Sequence, residues 1–296
     1  MNLLALVMIT TIPFTYHDNR MLIQCMIEGQ GPFTMVLDTG APNVTITPEI
    51  AARLELKTKA VGAASGAGNN SVEVRQAELH QVSLGSAELR DVQADVVDLT
   101  QIRTKFHFAR LDGIIGYPLF KRYITFVNVD AGKITLSDQP PAIPAMATTT
   151  PFAFDTSFSS TTPVISAEID GIPAHVVVDT GDRSSLTLFG PFAHRHGFYG
   201  KYPSKKNIVT GYGLGGPIYA DVFTLPKFRA LGETVTAVVT RASRQIGGAF
   251  TSAGQDGSIG TGILKRFNIV YDYANRTMTS WPSKNFTRAD VFVSPT

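Results

Sequence analysis

At 296 residues, with 44% hydrophobic and 17% charged residues, the chain is long enough for one large domain or two ordinary ones, and its composition excludes a disordered protein. Its 26 basic and 24 acidic residues leave a formal net charge of +2 with no charged tail, so electrostatics gives no reason to expect a nucleic-acid partner. The lone cysteine, Cys25, excludes an intramolecular disulfide and, among apolar neighbours, reads as a small core residue.

The chain begins with an apolar run, Met1 to Met8, that has no preceding Lys or Arg and no small-residue cleavage site. This run reads equally as the remnant of an export signal and as a first strand; its apolar character favours an exported (periplasmic or secreted) location over a cytoplasmic one. No stretch approaches the length that spans a bilayer. β-Formers at 9–12 and 21–27, separated by the turn cluster His17-Asp18-Asn19, predict two strands. A second turn, Glu28-Gly29-Gln30-Gly31-Pro32, leads to a strand over 33–37 that delivers Asp38-Thr39-Gly40 at its end. A strand over 43–46 follows, then Thr47-Pro48 as cap and first residue of a short helix over 48–56.

The stretch 61–70 is dominated by Gly, Ala, Ser and Asn, the composition of a hairpin tip. Alternating patterns predict strands over 72–75, 82–84 and 91–97. Leu111-Asp112-Gly113-Ile114-Ile115-Gly116 comes next, then a short helix over 118–123 and a hairpin over 124–136 turning at Asp130-Ala131-Gly132. The segment 139–155 is rich in Pro, Ala and Thr and reads as a linker between a unit of 1–138 and a unit of 156–296.

The second unit repeats the first in order. Val176-Val177-Val178-Asp179-Thr180-Gly181 follows Asp38-Thr39-Gly40 by 141 residues, and Asp256-Gly257-Ser258-Ile259-Gly260 follows the segment beginning at Asp112 by 144. Lys265-Arg266-Phe267 follows Lys121-Arg122-Tyr123 by the same 144, a drift of the size loop insertions produce. The pattern is that of an internal duplication. An ionisable carboxylate directly after a buried strand is tolerated when it is paired, hydrogen-bonded or protonated. Its occurrence at both Asp38 and Asp179 points to two carboxylates that answer one another.

Asp38-Thr39-Gly40-Ala41 with a downstream Ile114-Ile115-Gly116, doubled in one chain, resembles the retropepsin-like and pepsin-like aspartic proteases, most closely the bacterial single-chain members. The resemblance covers 9–282. It implies a mainly β, bilobal acid-protease fold of two duplicated β-barrel-like lobes with short helices, related by a pseudo-two-fold axis. It also implies an aspartic-type endopeptidase whose catalytic residues are Asp38 and Asp179. Two nearby carboxylates share one proton, and the ionised one acts as general base toward a water that attacks the peptide carbonyl. By the same resemblance Thr39 and Thr180 bond across to the opposite loop, and Gly40 and Gly181 allow the loops to approach. No metal or other cofactor is required, and the partner is a polypeptide in extended conformation, bound by a monomer.

The glycine-rich tips at 62–68 and 211–216 take the place of flaps over the substrate, with Ala41, Asp182, Tyr212 and Gly213 as candidate substrate contacts. Two departures from the family pattern fall in the second half. Asp182 stands where Ala or Ser is expected and can either raise the pair's proton affinity or pair with Arg183; Ser258 stands where an aliphatic residue is usual.

Other motifs carry less. Gly211-x-Gly213-x-x-Gly216 satisfies a dinucleotide fingerprint but is followed by a strand pattern rather than a helix. His194 and His196, two apart on a predicted helix, point to different faces and do not make a metal site. No nucleophile elbow is present. Two readings therefore remain: an aspartic endopeptidase, and a non-catalytic peptide- or protein-binding module that keeps the fold, with Asp182 and Ser258 as marks of drift.

Overall fold

Alternating apolar and polar residues build three sheets, two of which repeat one pattern. In the computed structural model, which describes residues 9–292, 294 and 295, the first lobe is an eight-stranded sheet ordered Thr15–His17, Arg20–Ile27, Gln30–Leu37, Gly113–Ile115, Val44–Ile46, Ala87–Val96, Ser71–Leu84, Lys59–Ser65. The second lobe has the same order in Ala153–Asp155, Ser159–Ile169, Ile172–Val178, Gly257–Ile259, Leu186–Leu188, Glu233–Ser243, Gly216–Ala230, Ser204–Gly213. In each lobe one extra pairing, Met26 with Ser83 and Ile169 with Phe228, brings the second strand against the seventh and curls the sheet toward a barrel. The run Met1 to Met8, read above as export signal or first strand, lies outside the described residues.

A third, six-stranded sheet joins the lobes. The hairpins Ile124–Asn128 with Lys133–Ser137 and Phe267–Asp272 with Thr277–Pro282 meet at Thr125 opposite Tyr271, and the outer strands are Ile9–Pro13 and Thr148–Pro151. Here the linker expectation is corrected. The segment 139–155 is irregular only as far as Ala147: Thr148–Pro151 pairs with Thr277–Pro282, and Ala153–Asp155 pairs with the second-lobe sheet. Three consecutive threonines are strand formers, and Pro151 sits on an edge strand where its missing N–H removes no ladder bond on the open side.

Helices are short, as Pro48–Arg53, Thr100–Lys105, Tyr117–Arg122, Gly190–Arg195 and Thr261–Leu264. The first ends three residues before the predicted boundary because Glu55 takes a left-handed conformation at φ 55°; Thr47 makes no side-chain cap. Burial explains where the strand-end aspartates point. Met35, Leu37, Val176 and Val178 are fully enclosed in the core that runs through both lobes, while Val36 and Val177 face the opposite way, into the space between the lobes.

Candidate active site

Each aspartate is placed by a strand clamped to a short parallel neighbour. Gln30–Leu37 pairs with Gly113–Ile115 and Ile172–Val178 with Gly257–Ile259; the Asp38 amide donates to the Ile115 carbonyl at 3.0 Å, as the Asp179 amide does to Ile259. The two aspartate loops are then tied together reciprocally. The Thr39 amide donates to Thr180 Oγ1 (2.9 Å), which donates to the Leu37 carbonyl (2.9 Å). The Thr180 amide donates to Thr39 Oγ1 (3.0 Å), which donates to the Val178 carbonyl (2.7 Å). Both threonines are wholly buried, so these four bonds exchange in low dielectric and fix the loops' separation.

Close approach is what Gly40 and Gly181 provide. A Cβ on Gly181 would stand 2.2 Å from Asp38 Oδ2, and one on Gly40 would stand 2.9 Å from Asp179 Oδ1. Asp38 Oδ1 accepts from the Gly40 amide (2.7 Å); Asp179 Oδ1 accepts from the amides of Gly181 (2.9 Å) and Asp182 (3.0 Å). The two carboxyl groups lie close enough for each to act on the other's proton affinity. Burial raises the proton affinity of both. For Asp38 the Gly40 amide, Asp179 and Arg20 offset part of that rise; for Asp179 the charges of Asp38 and then Asp182 add to it, so Asp179 lies well above the ordinary carboxylate range. Both carboxyls therefore hold a proton more firmly than an exposed carboxyl does.

Asp182 does not pair with Arg183. Both its oxygens accept from Arg241 Nη2 at 2.8 Å, Oδ1 accepts from the Ser184 amide (2.9 Å), and Arg241 Nε donates to Thr187 Oγ1 (2.6 Å). Burial pushes the Asp182 carboxyl up, but the Arg241 guanidinium and the Ser184 amide outweigh it and hold the group below its ordinary value. Arg183 instead reaches across the lobes, its Nε donating to Asp18 Oδ2 at 2.7 Å, and Arg20 Nε donates to the Gly181 carbonyl (3.1 Å) while Nη1 meets Asp18 (2.5 Å). Sequence reasoning missed both cations: Arg241 lies within the strand Glu233–Ser243, and Arg20 opens the strand Arg20–Ile27 just after the turn cluster His17-Asp18-Asn19.

Above the aspartates the two glycine-rich tips meet. The Gly68 and Asn70 amides donate to the carbonyls of Leu214 (2.9 Å) and Gly215 (3.0 Å), and Asn69 Oδ1 accepts from the amides of Ile246 (3.0 Å) and Gly247 (3.2 Å). Gly215 holds φ at 90°, and a Cβ there would stand 1.9 Å from the Asn70 carbonyl oxygen. The roof is interleaved. Tyr212 and Leu214 of the second lobe pack on a first-lobe cluster around Val36, Leu99 and Phe106, while Ala67 of the first lobe packs on a second-lobe cluster around Val177, Phe189 and Phe250.

Beneath the roof lies an interlobe cavity of about 710 Å³ that contains both aspartates. Ala41, Asp182, Tyr212 and Gly213 all border it. Tyr212 is half-buried with its ring edge-on to Phe106 and under Lys105 Nζ at 5.1 Å, and Gly213 abuts Ala67, where a Cβ would stand 2.9 Å from Ala67 Cβ. Ser258 borders the cavity as well, and its buried hydroxyl has no hydrogen-bond partner among the described residues.

Residues 23–119 match a family model described as aspartyl protease. No curated protein matches the chain. Among solved structures, the aspartic proteinase from Irpex lacteus aligns with 96% of this chain and 100% of its own, at 15% identity and a TM-score of 0.60. A retropepsin-like aspartic protease from Rickettsia conorii aligns with 45% of this chain and 92% of its own, at 19% identity and a TM-score of 0.34. The first lobe thus matches the aspartyl protease model over 23–119, and the chain as a whole shares the bilobal fold of a pepsin-like proteinase.

Proposed function

We propose that the protein is an aspartic-type endopeptidase that works as a monomer, because one chain supplies both carboxylates. The observation that carries this reading is the Asp38–Asp179 pair, half-buried at the floor of the interlobe cavity and fixed by reciprocal threonine bonds. In the reaction the ionised carboxyl takes a proton from a water lying between the two, and the oxygen of that water bonds to the carbonyl carbon of the scissile peptide. The protonated carboxyl donates a hydrogen bond to the carbonyl oxygen as it gains charge. Collapse of the tetrahedral species breaks the C–N bond while a carboxyl proton passes to the departing nitrogen, and the pair again shares one proton. The two roles belong to the pair as a unit.

An extended peptide suits the space: the cavity runs between two apolar clusters and is roofed by strand ends, which offer backbone groups to a substrate's own. The non-catalytic reading drew on Asp182 and Ser258. Arg241 ties Asp182 into the second-lobe wall as an ion pair, although the Asp182 charge still adds to the proton affinity of Asp179.

A peptide in which a secondary hydroxyl replaces the scissile amide tests the reading, since it places an oxygen between the carboxylates as the transition state does. Binding measured by thermal shift at about pH 4–5 is expected for the wild type and not for Asp38→Asn. Equal stabilisation of both proteins, or of neither, speaks against the pair as the reacting centre.

A further inference from the structure

The two walls of the cavity are built from equivalent rows of side chains, each running across neighbouring strands. In the first lobe Val36 pairs with Ile114, Ile114 with Thr45 and Thr45 with Asp95; in the second Val177 pairs with Ser258, Ser258 with Thr187 and Thr187 with Arg241. Directly paired residues project from the same sheet face, so each row presents its side chains together. Valine and threonine recur at the first and third places. At the fourth, the two lobes carry opposite charges, Asp95 against Arg241.

Only one of these charges is answered from within. Arg241 is held by both oxygens of Asp182. In the first lobe the position after the glycine is Ala41, and among the described residues Asp95 accepts from two neutral amides, Asn43 Nδ2 at 3.0 Å and Gln76 Nε2 at 3.1 Å. Each Asp95 oxygen therefore has a lone pair to spare. The other cations bordering the cavity, Arg20 and Arg183, are engaged with Asp18. Outside the aspartate pair, Asp95 is the cavity-lining carboxylate that has no cation beside it among the described residues. It is partly buried, in a wall otherwise made of apolar groups and threonine, where an unanswered charge interacts strongly with any cation that arrives.

We propose that Asp95 is the specificity determinant of the first-lobe wall and takes a basic side chain, Lys or Arg, of the bound polypeptide. The inference rests on the peptidase reading for its substrate, though not for its geometry. Asp95 lies three strand spacings from Val36, about 14 Å along the row. The residue that meets it is therefore seated over this wall and away from the scissile bond, and a long side chain with a cationic end is the group that answers the carboxylate there. An acidic side chain meets repulsion from Asp95, and a short apolar one leaves the carboxylate unanswered. In the second lobe Arg241 is neutralised by its own neighbour, so the preference falls on one side of the scissile bond only. The equivalent rows thereby give a pseudo-symmetric cleft a direction in which to read a peptide.

The test uses degenerate octapeptides in which Arg, its neutral isostere citrulline, or Glu is fixed at each position in turn. Cleavage by the wild type is followed by mass spectrometry, and binding of the same peptides to Asp38→Asn protein is followed by fluorescence anisotropy. Arg is expected to exceed citrulline by about tenfold at one position on one side of the cut, in kcat/KM and in affinity alike. That ratio should fall to about one in Asp95→Asn, and Glu should become the favoured residue at the same position in Asp95→Lys. Asp95 is partly exposed, so both variants are expected to keep the fold, which their unfolding temperatures check. No Arg-over-citrulline preference in the wild type, or a preference that survives Asp95→Asn, overturns the proposal. Binding that discriminates through Asp95 while no peptide is cleaved leaves the subsite standing and refutes the peptidase reading.

Discussion

Asp38 and Asp179 are chemically the same residue in nearly the same motif, and the surroundings make them unequal. Burial acts on both, but Asp182 adds a negative charge on the Asp179 side while Arg20 adds a positive one on the Asp38 side. This has a consequence for stability. A carboxyl whose proton affinity is raised by folding stabilises the folded state below its unfolded value, about pH 3.9, and loses that contribution as pH rises through the folded value. Asp182, held low by Arg241, runs the other way: its contribution is present above about pH 3.9 and is lost as pH falls through the folded value. Asp179→Asn should therefore gain unfolding temperature relative to the wild type between pH 4 and 7, whereas Asp182→Asn should flatten the loss of stability on the acid side. Melting curves at about five pH values check both. A constant Asp179→Asn difference across the range contradicts the raised proton affinity. At this scale the aspartates, threonines and glycines were legible because their partners lie in a repeated local motif. The Asp182–Arg241 and Asp18–Arg183 pairs were not, since their partners are 59 and 165 positions apart and only the folded sheet brings them together.

Among elements, the two glycine-rich tips matter most for access. They were legible as hairpin ends from composition alone, but not as one roof: the carbonyls that accept there are backbone groups, which carry no residue code, and besides backbone amides only the Asn70 side chain donates to them between the tips among the described residues. The 245–249 segment, which clasps the first tip through Asn69 and through the Ala249 amide on the Gly66 carbonyl, left no trace in the sequence pattern for the same reason. The tips, bonded to each other, lie across the top of the cavity, so their parting would widen the way in. Asn69→Ala removes two of the bonds that hold the roof. Hydrogen exchange at 66–70 and 211–216 should quicken by about tenfold, since two such bonds contribute about 1–3 kcal/mol, while the strands beneath the aspartates exchange as before. Unchanged exchange at both tips would show that the roof does not depend on this clasp. The linker misreading has an equally physical origin. A threonine-rich, proline-bounded segment is suited to an edge strand as well as to a loop, and the strand to which Thr148–Pro151 pairs lies more than a hundred residues downstream.

Across the whole molecule, two lobes of the same strand order stand on a shared six-stranded sheet, and neither lobe holds a complete site. The order of the motifs along the chain made the bilobal plan readable, because a carboxylate at the end of a buried strand needs a counterpart and the chain supplies one. What the motif order could not show is how unlike the two walls are, with Asp95 facing a cavity whose opposite wall carries Arg241. The central claim is that one carboxyl from each lobe makes a single reacting pair. It is tested most directly by cleavage of a peptide library between pH 3 and 8 by the wild type, Asp38→Asn and Asp179→Asn. The wild type is expected to cleave, and each single variant to lose about 10²–10⁴ in rate, with both together no worse than either alone. A wild type that cleaves nothing across that range, or a single variant that keeps its rate, would contradict the account.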